Sequence, residues 1–174
     1  ISVKQTDIDG VRASLGFQLK FGFFKFYGSY TQAKYSMVNA GIGLYGGIMD
    51  YTDERLNEMM QTNLQGTVWT VRAAVPHLKK NNGGDIVIIC SISGYRSKKN
   101  QAVYAATKHA QVGLAIGLDD ELREDKIRVT LIAPAATETN FAVGDGRTLD
   151  DAVRTGYMKA TDIAFAVETV LEQP

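Results

Sequence analysis

Three observations predict an α/β fold built on a parallel sheet. From about residue 35 onward, apolar runs of strand length alternate with stretches of helix length. One run, Asp85-Ile86-Val87-Ile88-Ile89-Cys90, is continuously apolar after its first residue, the mark of a strand covered on both faces. The strands are joined by long helical stretches and not by tight turns, which is what parallel strands require.

The elements follow in order. Tyr35-Ser36-Met37-Val38-Asn39-Ala40 reads as a short strand ending at Gly41. Thr52-Asp53-Glu54 reads as a helix start, since Thr52 can cap and two carboxylates sit in the first turn. The helical stretch runs to about Lys80 with Met59, Met60, Leu64, Val68, Val71 and Val75 on a broad apolar face. Pro76 should kink or tighten its last turns, and Lys79 to Gly84 form a basic end and a stop. The buried strand follows, then a polar loop from Ser91 to Gln101 and a helix from about Ala102 to Glu124. Ala105, Ala106, Ala110, Gly113, Ala115 and Gly117 give that helix room for close packing. Ile127 to Ala133 is a third strand, stopped by Pro134; a long loop spans Ala135 to Tyr157, and a last helix starts near Thr161-Asp162. Residues 1–34 stand outside the pattern: they are dense in aromatics, and no helix or strand period holds across them.

Composition bounds the function. The chain has 174 residues, 45% hydrophobic, with 19 basic and 19 acidic side chains and formal net charge +0. That neutrality gives no electrostatic reason to expect nucleic acid or an anionic membrane as partner. No apolar run is long enough for a membrane span, and no secretory signal is visible. Cys90 is the single cysteine, read as a buried thiol, which fits a cytoplasmic protein. His77 and His109 read as surface or structural residues, and no metal-ligand spacing surrounds them.

The chemistry centres on Tyr104-Ala105-Ala106-Thr107-Lys108. Spacing i, i+4 puts a phenol and an ammonium on one helical face. A nearby ammonium lowers a tyrosine pKa, which makes Tyr104 a candidate general acid/base. Ser91 lies thirteen residues earlier, directly after the buried strand, where sites gather in parallel sheets. Ser93 competes with it, and the thirteen-residue offset favours Ser91. Asn63 lies inside a helical stretch, where an asparagine needs a specific partner. Gly41, Gly43 and Gly46 form a literal G-x-G-x-x-G; it is rejected as a dinucleotide fingerprint, because no clean helix opens at Gly46 and no acidic strand end follows at the expected distance.

From about Ser36 to Thr139 the chain resembles the short-chain dehydrogenase/reductase family. Val38-Asn39-Ala40-Gly41 resembles its NNAG motif, Asn63-Leu64-Gln65-Gly66 its NxxG motif and Cys90-Ser91-Ile92-Ser93-Gly94 its serine loop. Tyr104 to Lys108 matches YxxxK, and Pro134 to Thr139 resembles PGxxxT with Ala135 in place of the glycine. The resemblance implies a Rossmann-like doubly wound parallel sheet, here incomplete at both ends. It implies hydride transfer between NAD or NADP and a small alcohol or carbonyl substrate. By position, Tyr104 is the general acid/base. Lys108 binds the nicotinamide ribose and lowers the Tyr104 pKa. Ser91 hydrogen-bonds the substrate oxygen, and Asn63 holds a water linking Lys108 to solvent. Asn39, Ala40, Gly41, Pro134 and Thr139 lie on the cofactor side, with Thr139 at the carboxamide. A homodimer or homotetramer is implied, packed through the helices that carry Asn63 and Tyr104.

The glycine-rich turn that opens this family does not occur before Tyr35, so 1–34 is read as an atypical lead-in and 35–174 as the catalytic portion. The lead-in is a candidate to cover the exposed edge of the Tyr35 strand. The alternative to an oxidoreductase is a non-catalytic remnant that keeps the interaction surfaces. The loop from Ala135 to Tyr157 takes the place of a substrate lid, with Phe141, Val143, Leu149 and Tyr157 lining an apolar pocket.

Overall fold

A computed structural model describes residues 16–21, 24–29, 35–39, 41–153 and 156–173. Its strands are β1 (Gly16–Phe21), β2 (Phe24–Ser29), β3 (Tyr35–Asn39), β4 (Gly84–Ile89) and β5 (Ile127–Ile132), and they form one sheet in the order β1-β2-β3-β4-β5. The fold is α/β. Strands β3, β4 and β5 are parallel and adjacent, with Val38 opposite Ile88 and Ile88 opposite Leu131.

The helical stretch after β3 is one rod in three parts. Helix α1 (Asp53–Met60) starts at Thr52, whose hydroxyl accepts the Arg55 N–H. A single π-helical turn, Gln61–Gln65, carries Asn63, and α2 (Gly66–Lys80) completes the rod. Helix α2 runs through Pro76, which sits on its exposed side, where the carbonyl left without a partner can turn to water. The rod stops where Asn82 takes φ 61° and the N–H groups of Asn82 and Gly83 return to the Lys79 and Leu78 carbonyls. Gly83 has φ 117°, and a Cβ there would meet the Lys126 carbonyl oxygen at 2.5 Å, so only glycine closes this turn onto β5.

Helix α3 (Ala102–Leu122) returns the chain from β4 to β5. Val71 and Leu78 of α2 and Ala115 and Leu122 of α3 bury Ile86, Ile88 and Ile127 on one sheet face, with Val129 and Leu131 packed alongside. Arg128 alternates to the other face. There it pairs with its cross-strand neighbour Asp85 at 2.6 Å and donates to the Val170 and Gln173 carbonyls at the end of α5 (Ala160–Leu171). Helices therefore lie on both faces of the parallel strands, as doubly wound topology requires. A short α4 (Leu149–Ala152) interrupts the long loop before α5.

The lead-in departs from the reading that no strand period holds there. Strands β1 and β2 pair antiparallel, and β2 pairs antiparallel with β3 through Tyr27–Asn39 and Gly28–Val38. Apolar residues alternate within each strand, but the run Phe21-Gly22-Phe23-Phe24 resets the phase between them and hides the period. The β3 edge is thereby hydrogen-bonded, as expected of a segment that must protect it.

Candidate active site

The carboxyl ends of β3, β4 and β5 open into three loops, and the start of α3 faces them. Together they line one cleft of about 1590 Å³ that includes Gly41, Ser91, Tyr104, Lys108, Pro134 and Thr139. Ser91 caps a 3₁₀ turn, Ile92–Gly94, by accepting the Ser93 N–H at 3.1 Å. Ser93 also lines the cleft but is buried, and it is the half-buried Ser91 whose hydroxyl bonds Tyr104. Ala40 lies outside the described residues. Asn39 ends β3, and its backbone is paired with Tyr27.

Asn63 is fully buried, and its side chain acts as a clip. It accepts the Ile42 N–H at 2.7 Å and donates to the Ile42 carbonyl at 3.0 Å and to Thr107 Oγ1 at 2.9 Å. It thus fastens the loop after β3 to α3, because Thr107 in turn donates to the Tyr104 carbonyl at 2.7 Å. The Asn63 backbone carbonyl accepts Thr67 Oγ1 at 2.7 Å and Gln111 Nε2 at 2.8 Å. A carbonyl has two lone pairs, so both are taken.

Tyr104 packs edge-on against Tyr45, with centroids 5.3 Å apart, and against Phe141 at 6.0 Å. Its pKa is pushed up, not down. Burial is the largest cause and the neighbouring Tyr45 the next, while the Ser91 hydroxyl, as a hydrogen-bond donor, pulls the other way. In the unliganded site burial, not the Lys108 ammonium, sets the direction of the shift. The Lys108 ammonium lies 5.8 Å from the Tyr104 ring centroid and is itself buried, which lowers its pKa to about 8. Burial drives both groups toward their neutral forms.

The sequence reading missed Gln111. It is 1% exposed, accepts from Lys108 Nζ at 2.9 Å and donates to Thr67 Oγ1 at 2.7 Å besides the Asn63 carbonyl. The signal was present: 104, 108 and 111 stand at i, i+4 and i+7 and share one helical face.

The loop after β5 closes over the cleft. Phe141 packs edge-on against Tyr45 and tilted against Tyr104, close to Gly43, where a Cβ would meet its ring at 2.6 Å. Arg147 donates to the Phe141 and Thr137 carbonyls, and Asp145 pairs with Arg55 at 2.9 Å. Phe141, Val143 and Tyr157 line the cleft as expected, but Leu149 is exposed in α4 and does not. Gly41, Gly43 and Gly46 lie in a loop, and the next helix opens only at Asp53. Trp69 is 59% exposed and does not line the cleft. Among the described residues, no group of His, Cys, Asp and Glu is placed to hold a metal ion, and no helix is long and apolar enough to cross a membrane.

Comparison with known proteins places this geometry. The short chain dehydrogenase family matches residues 35–149, and a family of unknown function, DUF6588, matches residues 1–45. An uncharacterized oxidoreductase of Staphylococcus epidermidis is 34% identical over 136 residues, which cover 78% of this chain and 57% of that protein. The chain thus spans a little over half the length of the curated relatives it matches. A 3-ketoacyl-ACP reductase from Sinorhizobium meliloti superposes with a TM-score of 0.68 at 30% identity, over 79% of this chain and 60% of that one. An alcohol dehydrogenase from the archaeon Thermococcus sibiricus, complexed with 5-hydroxy-NADP, superposes with a TM-score of 0.69 at 28% identity, over 79% and 56%.

Proposed function

The chain belongs to the short chain dehydrogenase family, and from that membership we propose that it serves an NAD(P)-dependent oxidoreductase interconverting an alcohol and a carbonyl. The observation that carries this reading is the convergence of Ser91, Tyr104, Lys108 and Thr139 on one cleft.

The residues present fit the nicotinamide half of such a cofactor. Gly41 lines the cleft beside Lys108. Thr62 Oγ1 is buried without a hydrogen-bond partner, and Thr62 lines the same cleft, a polar group that a ligand hydroxyl would satisfy. Lys108 would hold the ribose, and Thr139, with Gly41 and Pro134, the nicotinamide side. When bound, the cofactor supplies or accepts the hydride. Tyr104 gives its phenolic proton to the substrate oxygen on reduction and takes it back on oxidation. Ser91 donates to that oxygen as charge develops there. Burial keeps Tyr104 protonated in the unliganded site, the form that carbonyl reduction needs. No glycine-rich turn opening a helix is found among the described residues, so the adenine half has no such holder in them.

The second reading is a non-catalytic remnant that associates with copies of itself. The self-association is supported by the exposed Met60 and Trp69 of the rod and Ile116 of α3, and by open space beside Gly113 and Gly117. A homodimer or homotetramer through these helices is compatible with either reading. We also propose that residues 1–34 and 35–174 differ in origin, which the separate family matches support. The deciding experiment is oxidation of NADH or NADPH with a panel of aldehydes and ketones, with cofactor-induced stabilisation measured alongside. Turnover that Tyr104→Phe abolishes, with the cofactor-induced stabilisation retained, supports the enzyme. No stabilisation at millimolar cofactor and no turnover supports the remnant.

A further inference from the structure

Lys108 sits in an unusual position for a charged group. It is 3% exposed, and among the described residues no carboxylate faces it. The ionisable groups around it are the Cys90 thiol at the end of β4 and the Tyr104 phenol on its own helix. The Cys90 thiol donates to the Lys108 carbonyl at 3.4 Å and so is tied to the backbone of the same residue. From the rod come only neutral groups, Asn63 and Thr67. A buried ammonium without a counter-ion needs strong neutral acceptors or it loses its proton.

We propose that Gln111 is the positioning residue for Lys108: its side-chain amide holds the ammonium at one end and is anchored to the rod at the other. Gln111 Oε1 accepts from Lys108 Nζ at 2.9 Å, while Nε2 spends both its protons on the Asn63 carbonyl and Thr67 Oγ1, at 2.8 and 2.7 Å. The amide cannot rotate without breaking both anchors, so its oxygen is held toward Lys108. The π-helical turn at Gln61–Gln65 presents the Asn63 carbonyl to α3, and Thr67 completes the bracket. A side-chain amide also differs from a water in the same place. It offers a fixed acceptor to Lys108 and a fixed donor to Asn63, and it cannot pass a proton between them without becoming an imidic acid. Gln111 therefore fixes where the Lys108 ammonium points and closes the direct path from Lys108 to the Asn63 carbonyl.

The inference deepens the proposed reading of the same cleft, and its test does not use turnover. The chain is labelled with ¹³Cε-lysine, the Lys108 resonance is identified by its loss in Lys108→Met, and its pKa is titrated by NMR. In Gln111→Leu the acceptor is gone, and the proton affinity of Lys108 falls tenfold or more. In Gln111→Glu an anion replaces the amide oxygen, and the affinity rises at least tenfold above that of the parent. Opposite shifts support the role; no shift, or shifts of the same sign in both variants, overturn it. If Gln111→Leu does not fold, Gln111→Glu decides alone: an unmoved pKa overturns the proposal. A failed titration leaves the oxidoreductase reading standing, and absent turnover leaves the titration intact, so the two failures are distinguishable.

Discussion

Asn63→Leu is the sharpest test of the clip that fastens the loop after β3. The substitution keeps the side-chain volume close and removes all three side-chain hydrogen bonds: to the Ile42 N–H, the Ile42 carbonyl and Thr107 Oγ1. Thr107 still donates to the Tyr104 carbonyl, so it loses only an acceptor contact. The two Ile42 groups carry the cost. Each buried backbone group left unpaired costs about 1–3 kcal/mol, and Ile42 is only half-buried, so water recovers part; the loss comes to about 3 kcal/mol. That is a large share of the roughly 5–15 kcal/mol typical of a folded domain. Urea unfolding followed by far-ultraviolet circular dichroism reads the stability, and amide exchange at Ile42 reads the loop. Thr107→Val, which orphans one Asn63 donor, should cost about 1 kcal/mol by the same reasoning. A loss under about 1 kcal/mol in Asn63→Leu, with Ile42 still protected, refutes the clip.

Three further outcomes follow from the same geometry. The folded Lys108 pKa of about 8 lies below its ordinary value of 10.5, so between these limits the unfolded chain binds the proton that the folded chain has released, and stability rises with pH. Below about 8 the penalty is fully present. Cys90 and Tyr104, whose pKa values are raised from 9.0 and 10.0, oppose the rise above those values, so the clean window is pH 8 to 9. Unfolding free energy there should climb with a slope of up to about 1.4 kcal/mol per pH unit, and the slope should vanish in Lys108→Met. Gly83→Ala puts a Cβ at 2.5 Å from the Lys126 carbonyl oxygen at φ 117° and should cost about 2–4 kcal/mol in the same urea assay. Trp69→Glu and Ile116→Glu place charge on the exposed faces of α2 and α3; analytical ultracentrifugation should find them monomeric where the parent associates.

What was legible depended on whether spacing or surroundings decide the matter. The continuous apolar run at 85–90 became the buried β4 because a strand covered on both faces has no polar side to encode. Thr52 was readable as a cap because capping is local, and it does accept from Arg55. The i, i+4 spacing brought Tyr104 and Lys108 into one cleft, since helical geometry alone fixes that separation. The hairpin β1–β2 was not legible, because two alternations of opposite phase cancel over a short window. The π-helical turn was not legible either, since no residue type marks it. Gln111 shares a helical face with Tyr104 and Lys108, but its two anchors come from the rod, more than forty residues away in sequence, and spacing does not reveal them.

The Tyr104 pKa depends on a property that spacing does not carry. Spacing gives the distance between two charges and says nothing of how dry they are. Lys108 Nζ lies 5.8 Å from the Tyr104 ring centroid, and an ammonium so placed favours the phenolate. Moving Lys108 from 10.5 to about 8 already corresponds to a penalty of about 3 kcal/mol. Burial penalises the phenolate as well, and for Tyr104 it is the largest cause of the shift. In the unliganded chain, the ¹³Cζ resonance of Tyr104 should show no ionisation up to pH 10, the ordinary value for a tyrosine; a titration midpoint below that would mean that the ammonium outweighs burial after all.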